Sequence, residues 1–473
     1  MNQKNRRWKF GALQTVITVL GIVLIIAANL VMDRLTEKYG WSKDLTANGR
    51  YAISEDSIRY LKALEEEVDI TVFVSEEEMS SGSYYIVQAY QNLLQYEKNS
   101  EKVKLAFVDL IENPTYAAKY PELELSAYDI LVESGEKQEV LSFQNLYEYD
   151  SQSGAVTASK VEQMMTGAVV KVTSEEKAGV TVLDGYSKTQ PKDLAELLAS
   201  NGYEVSQQSL LTDEIDPKAQ SAILFAPQSD LEESSLTKLG KWLENDGNQG
   251  KNLFVFMDPS VPALPRLEAF LKEWGIELRE GFAFEADNNF YYDKFIYPVA
   301  QYTNMEYAEG MTSSDLTIMA LCRPVDVLFE SKDNYETSVL LNFSPASGVV
   351  TLDQKEVTAD QITGDVKGMA ISSHSWYGTE VTKSNVVVSG SSLAFSGSLM
   401  TGSTFANADY ILGVFRKLSG ESSALAIVPK DLSVPTHTMT MARANAYIWI
   451  FMIILPVLVL AAGVVVWMRR KNR

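Results

Sequence analysis

The sequence predicts a mixed α/β chain built around a doubly wound parallel sheet, with a smaller α/β section ahead of it and a transmembrane helix at each end. Three observations carry this reading. Near-continuous apolar strands such as "SAILFAPQ" and "KNLFVFMDP" alternate with amphipathic helices, the pattern of a parallel sheet covered on both faces. Ahead of them the elements run β-α-β and then β-β. At the ends, Gly11 to Met32 and Ala446 to Met468 carry no charge, and each exceeds the ~20 residues a helix needs to cross hydrocarbon.

Taken in order, residues 1–10 form a basic tail with Lys4, Arg6, Arg7 and Lys9, and residues 11–32 form the first span. A cleaved signal peptide would have a shorter apolar run, of about 7–15 residues. The section 44–150 opens with the helix "ISEDSIRYLKAL", with Ser54 at its N-cap and acids in its first turn. The strand "VDITVFV", the helix "YYIVQAYQNLLQYEK" and the strand "VKLAFVDL" follow. "YDILVES" and "QEVLSF" make a hairpin across Gly135. This order outlines a thioredoxin-like sandwich, without the C-x-x-C that would make it a redox enzyme. "DSQSGAVTAS" reads as a linker, and "KVEQMMTGAVVKVTS" as a bridging helix.

The doubly wound domain spans 178–435. Its elements are the strand "GVTVLDGY", a helix from Pro191 stopped near Gly202, the two strands named above, and the helices "LEESSLTKLGKWLEN" and "LPRLEAFLKEWGIEL". Later strands, "DLTIMALCRPVDVLF", "KGMAISSH" and "SNVVVSGSS", complete the sheet, and "NADYILGVFRKLSG" closes it with a helix. Residues 446–468 are the second span, followed by the basic tail 469–473 with Arg469, Arg470, Lys471 and Arg473. The basic flanks place both termini in the cytoplasm and the domain between them outside.

Composition excludes several function classes. The chain of 473 residues has a net charge of -21, and all 62 acids fall between the two spans. Such a surface does not suit nucleic acid. The single cysteine, Cys322, permits neither a disulfide framework nor a redox pair. With only His374 and His437, a zinc site is not expected, nor is any other metal or cofactor. A P-loop is absent; "GNQGKN" has the wrong spacing and no hydroxyl for magnesium.

One stretch invites a catalytic reading: "NVVVSGSSLAFSGSLM", Asn385 to Met400. Glycine and serine after a β-branched run can cradle phosphate or present a nucleophile. No Lys or Arg lies between Val386 and Lys417 except Arg416 at the end of the following helix, and no G-x-S-x-G occurs, so neither chemistry is supported. What remains is a buried strand that leaves the sheet into a flexible loop, at the end where such sheets bind ligands. The candidate ligand or partner cleft is therefore Asp184, Tyr186, Asp258, Ser389 and Ser391. The acids at strand ends shape turns in the simpler reading. The aromatic stretch Phe290 to Tyr307 offers rings for stacking on a sugar or peptide.

The layout and several strings resemble the GldG-type auxiliary components of ABC transport systems. "KDLTANGRYAISEDSIRYLKAL" is similar to that family's opening segment. "DLAELLASNGYEV", "AILFAPQSDLEESSLTKLGKWLENDG" and "NLFVFMDP" are similar to its glutamine-amidotransferase-like central domain. "NVVVSGSSLAFSGSLMTGSTFANADYILGVFRKLSG" and "ILPVLVLAAGVVVWMRRKNR" are similar to its closing segments. The resemblance implies a non-catalytic partner of an ABC-2-type permease and its cytoplasmic ATPase, held in the lipid bilayer. Two features depart from the family. "DGYSKT" stands where relatives carry G-H-G-E, and the elbow lacks the amidotransferase cysteine.

Overall fold

Four strands form the first sheet: β1 (Val68–Val72), β2 (Val103–Phe107), β3 (Ile130–Ser134) and β4 (Lys137–Leu141). In this computed structural model the described residues are 49–123, 125–149, 153–174, 178–257, 259–261, 263–309, 311–312, 315–351, 354, 357–377, 381–401, 405–420, 427–432 and 468. Both predicted membrane spans lie outside them, Met468 apart. No helix of the described residues is long and apolar enough to cross a membrane.

The first sheet has the order β2-β1-β3-β4, with β2 parallel to β1 and both β3 neighbours antiparallel. Helices α1 (Glu55–Lys62), α2 (Glu76–Ser81) and α3 (Tyr84–Asn99) surround it, with the short α4 (Pro114–Ala117). The Ser54 hydroxyl accepts from the Ser57 amide and caps α1. Gly135 has a φ of 58° at the β3–β4 turn, backbone that glycine adopts without a side-chain clash. Strand β5 (Tyr147–Tyr149) and β6 (Val156–Ser159) follow, then α5 (Val161–Thr173), which packs on β3 and β4. The end of the expected linker is thus strand β6. Its pairing partners lie elsewhere in the chain, which local composition cannot reveal.

The second sheet draws on β7 (Gly179–Asp184), β8 (Glu204–Ser209), β9 (Ser221–Phe225) and β10 (Asn252–Phe256). Small pairs β11 (Ile276–Leu278) with β14 (Val325–Val327), and β12 (Phe282–Glu285) with β17 (Ser347–Val350), flank it. Strands β13 (Gln301–Tyr302), β15 (Ser331–Lys332), β16 (Tyr335–Asn342), β18 (Lys367–Tyr377) and β19 (Val381–Ser389) complete nine strands, in the path β13-β16-β18-β19-β10-β9-β7-β8. From β19 to β8 every neighbour is parallel; β18, β16 and β13 add antiparallel pairings.

Helices cover both faces. Helix α6 (Lys192–Ser200) and α10 (Asn407–Ser419) pack with Ile223, Phe225, Phe254 and Phe256. Helices α7 (Glu233–Glu244) and α8 (Pro265–Glu273) pack with Ala222, Leu224, Leu253 and Val255. The two sets alternate along β9 and β10, as the period of two requires, and every residue of both strands is buried. The ring of Phe415 on α10 stacks 3.8 Å from that of Phe254. Tyr410, Ile411, Leu412 and Val414 are fully buried, and the aliphatic ones are each worth about 1.5–3 kcal/mol of transfer. This is a mixed α/β architecture around a large mixed sheet: the strands from β19 to β8 are parallel, as the strand pattern predicts, whereas β18, β16, β15 and β13 extend it with antiparallel pairings that the expected all-parallel sheet did not include.

One expected strand is mostly absent. In "DLTIMALCRPVDVLF" only Val325–Val327 is a strand. Leu321 takes a φ of 49°, and Pro324 supplies no donor. Backbone bonds are made one at a time instead, as from the Met319 amide to Pro298 and the Leu321 amide to Ile296. Past α9 (Ser398–Thr401) and α10, β20 (Lys430–Asp431) returns to pair with β6, so the sheet β20-β6-β5 ties the late segment 430–431 to residues 147–159.

Candidate functional site

In a doubly wound sheet the carboxyl ends of the parallel strands are where ligands bind. Here β9, β10 and β19 end together at Phe225, Phe256 and Ser389. The following loops are stitched to each other. The Ala226 amide donates to the Phe256 carbonyl at 2.8 Å, Met257 to Ser389 at 3.0 Å, and Ser392 to Met257 at 2.8 Å. Above this stitching lies a crevice of about 270 Å³ lined by Thr189, Ala226, Pro259, Leu321, Ser392 and Leu393, with Phe225 at its base.

Two of the described non-glycine residues with left-handed backbone are here. Ala226 has a φ of 47° and Leu321 one of 49°, and both line the crevice. Left-handed backbone outside glycine costs about 1–2 kcal/mol and gathers at functional sites. A strained turn between a central strand and a helix is how some α/β hydrolases expose a nucleophile. At this turn the side chain is the methyl group of Ala226, which can do no covalent chemistry. None of the described residues lining the crevice is ionisable.

Of the residues singled out in the sequence, Asp184, Tyr186, Ser389 and Ser391 are not part of the crevice lining. Asp184 ends β7 and accepts from its neighbour's amide, Gly185, at 2.7 Å and from Gln207 Nε2 at 3.2 Å. Tyr186 is buried. Its hydroxyl accepts from the Glu232 amide at 3.1 Å and pairs with Ser235 Oγ at 2.9 Å, which fixes the start of α7. Between β7 and β9 the gap is closed by a bridge of Ser187 to Pro227 and by the Ser187 hydroxyl on the Phe225 carbonyl. Asp258 lies outside the described residues.

Ser389 and Ser391 are fully buried. Ser389 Oγ donates to the Ser391 carbonyl at 2.9 Å. Ser391 Oγ donates to the Ala320 carbonyl and accepts from the Ala394 amide at 3.1 Å. Both serines are joints in the backbone, and the next residue, Ser392, reaches the crevice instead. The segment after them is a 3-10 turn, Leu393–Phe395, and the short helix α9, rather than an unstructured loop. Gly390 allows close packing: a Cβ there would overlap the Arg323 carbonyl and sit 2.9 Å from Cys322 Sγ.

His374 pairs across β18–β19 with Ser384, five residues before Ser389, or roughly 16 Å along the strand. It stacks on Tyr335 at 4.3 Å, and burial lowers its pKa. The structure therefore does not bring His374 to either serine. Cys322 is fully buried, and burial pushes its thiol well above the usual range. Among the described residues no group of three His, Cys, Asp or Glu could hold a metal ion. In the aromatic stretch, Tyr302 stacks on Tyr410 and donates to the Asp315 carbonyl, and Phe295 meets Phe284 edge-on. These rings are used within the fold.

Sequence alone missed the crevice because its strain resides in Ala226 and Leu321. Their residue types give no hint of left-handed backbone.

Comparisons with known proteins bear on part of the chain. Residues 47–149 match a family described as a domain of unknown function, DUF7088. Among curated proteins no sequence matches the chain significantly. Of solved structures, the mmIFT52 N-terminal domain is similar at 15% identity and a TM-score of 0.38, covering 51% of this chain and 97% of its own. A GMP synthase component from Thermoplasma acidophilum is similar at 10% identity and a TM-score of 0.27, covering 53% of this chain and 96% of its own.

Proposed function

We propose that the chain is a non-catalytic, membrane-anchored auxiliary subunit of an ABC-type transport system. Its extracytoplasmic domain contacts cargo, cell envelope or partner protein, and its two apolar spans pack on an ABC-2-type permease served by a cytoplasmic ATPase. One observation carries the anchoring half of this reading. Lys430, near the end of the described chain, donates to the carbonyls of Gly49, at 3.2 Å, and Ala52, near its beginning. Lys430 thus lies beside Gly49 and Ala52, a proximity that suits two adjacent helices.

The non-catalytic half rests on the strained turn that presents Ala226, on serines used as backbone joints, and on the distance of His374 from both. The strand order β2-β1-β3-β4 supports a thioredoxin-like reading of the first section. A stand-alone membrane-anchored sugar- or peptide-binding module is the second reading, favoured by the strand-end crevice, whose described lining carries no charge.

Topology is tested with single new cysteines at Asn2, Asn472 and the 89%-exposed Ile111, since Cys322 is buried and silent. A membrane-impermeant maleimide on intact cells labels Ile111→Cys alone. Labelling of Asn2→Cys or Asn472→Cys contradicts the reading.

A further inference from the structure

Strands β18 and β19 run further than the sheet they belong to. Asn385 of β19 is level with Asn252, where β10 begins, so β19 extends back to Val381, roughly 13 Å past that edge. On the other side β16 reaches only Tyr335, opposite His374. Beyond it the paired residues are Ser375 with Lys383, Trp376 with Thr382, and Tyr377 with Val381. This two-stranded ribbon leaves Trp376 50%, Tyr377 65% and Val381 57% exposed. Side chains alternate along each strand, so Tyr377 and Val381 share one face and Trp376 lies on the other.

The ribbon stands at the amino end of the parallel strands, away from the crevice. Hydrogen bonds tie residues 427–430 and 49–56 to the same edge. Asn252 Nδ2 donates to the Leu418 carbonyl at 3.3 Å and Gln220 Nε2 to that of Ser419 at 3.2 Å, which sets the end of α10 there. The Ile427 amide donates to Asn201 Oδ1 at 2.8 Å, just before β8. Arg416, in the last turn of α10, pairs with Asp56 in the first turn of α1, and Lys430 reaches Gly49 and Ala52. Residues 33–48 connect Gly49 to the first apolar span and reach at most about 55 Å.

A ribbon with apolar groups on both faces is covered on both sides only by a medium that surrounds it; a flat protein surface covers one. We infer that the tip formed by Trp376, Tyr377 and Val381 inserts into the headgroup layer of the lipid surface that anchors the chain. This rests on the membrane-anchored reading given above. Trp and Tyr have an apolar body and a polar tip, and they gather at the membrane–water boundary. Glu380, in the connection between the two strands, suits that level rather than the hydrocarbon core. Lys383 is paired with Glu336 at 2.9 Å, and the chain's net charge is -21, so the contact is apolar and needs no anionic lipid. Insertion turns the amino edge of the sheet toward the bilayer and the strand-end crevice away from it.

The test uses the full chain in phosphatidylcholine nanodiscs. A nitroxide is placed on Val381→Cys or, as an aqueous reference, on the 89%-exposed Ile111→Cys; Cys322 is buried and takes no label. Electron paramagnetic resonance reads collisions with oxygen, which concentrates in lipid, and with a nickel chelate, which stays in water. The oxygen-to-nickel ratio at Val381 is expected to exceed that at Ile111 about tenfold, and to fall toward the Ile111 value when Trp376→Ser and Tyr377→Ser are added. Both rings are exposed, so this variant folds like the wild type. A Val381 label as open to nickel as the Ile111 label overturns the inference. Few collisions with either reagent mark a label covered by protein and also overturn it. Alkaline extraction of the membrane reads the anchor separately. A resistant chain with a water-exposed ribbon refutes the insertion alone, whereas a chain stripped by alkali refutes the anchored reading with it.

Discussion

Lys430 Nζ lies 2.6 Å from Glu162 Oε2, and Glu162 is only 3% exposed. The same carboxylate accepts from the Ser54 amide at 2.6 Å and from Ser57 Oγ at 2.7 Å. One buried acid on α5 thus holds both the beginning and the end of the described chain.

Removing one partner of a buried ion pair leaves an uncompensated charge, which costs about 3–5 kcal/mol. Lys430→Met is expected at the lower end, about 3 kcal/mol, because Ser54 and Ser57 still donate to Glu162. The double variant Lys430→Met with Glu162→Gln recovers part of the loss, measured by denaturant unfolding of the full chain.

The same pair sets a pH dependence. Burial pushes the Glu162 carboxyl up, but the charge and hydrogen bond of Lys430 and the donors of Ser54 and Ser57 hold it below its usual range. A carboxyl held low in the folded state adds stability above its unfolded pKa and loses it as pH falls through the folded value. The stability gap between wild type and Lys430→Met is therefore larger at about pH 7 than in acid, and narrows as pH falls toward the lowered Glu162 value of the wild type. A gap that stays constant down to about pH 3 contradicts this.

Gly390 and Gly397 respond differently to alanine. At Gly390 the new Cβ overlaps backbone, and a loss of about 3 kcal/mol is expected. Gly397 has a φ of 58° but open space around it, so alanine there costs only about 1–2 kcal/mol. Equal losses in thermal unfolding refute the packing role of Gly390.

Ala226→Gly relieves the left-handed turn and stays within about 1 kcal/mol of wild type, while Ala226→Val costs about 2 kcal/mol or more. Comparable unfolding midpoints for the two contradict the strain at this position.

The parallel core was legible in the sequence because a strand buried on both faces is apolar at nearly every position, as β9 and β10 are. Capping chemistry made α1 legible through Ser54. The edges were not. Strand β8, "EVSQQS", is a half-exposed edge and polar, so it carries no apolar signal. Strand β6 depends on Tyr147–Tyr149 and on Lys430, the latter remote in sequence. At the candidate site the sequence pointed to the right loop, because glycine and serine mark a tight turn. It did not tell Ser391, spent on the Ala320 carbonyl, from Ser392, which reaches the crevice.

The central claim is tested most directly by purifying the full chain from its native membrane in mild detergent and identifying its stoichiometric companions by mass spectrometry. The account predicts an ABC-2-type permease and an ABC ATPase, retained with wild type and depleted when either apolar span is replaced by an unrelated one. Recovery of the intact chain from the membrane with neither companion contradicts it.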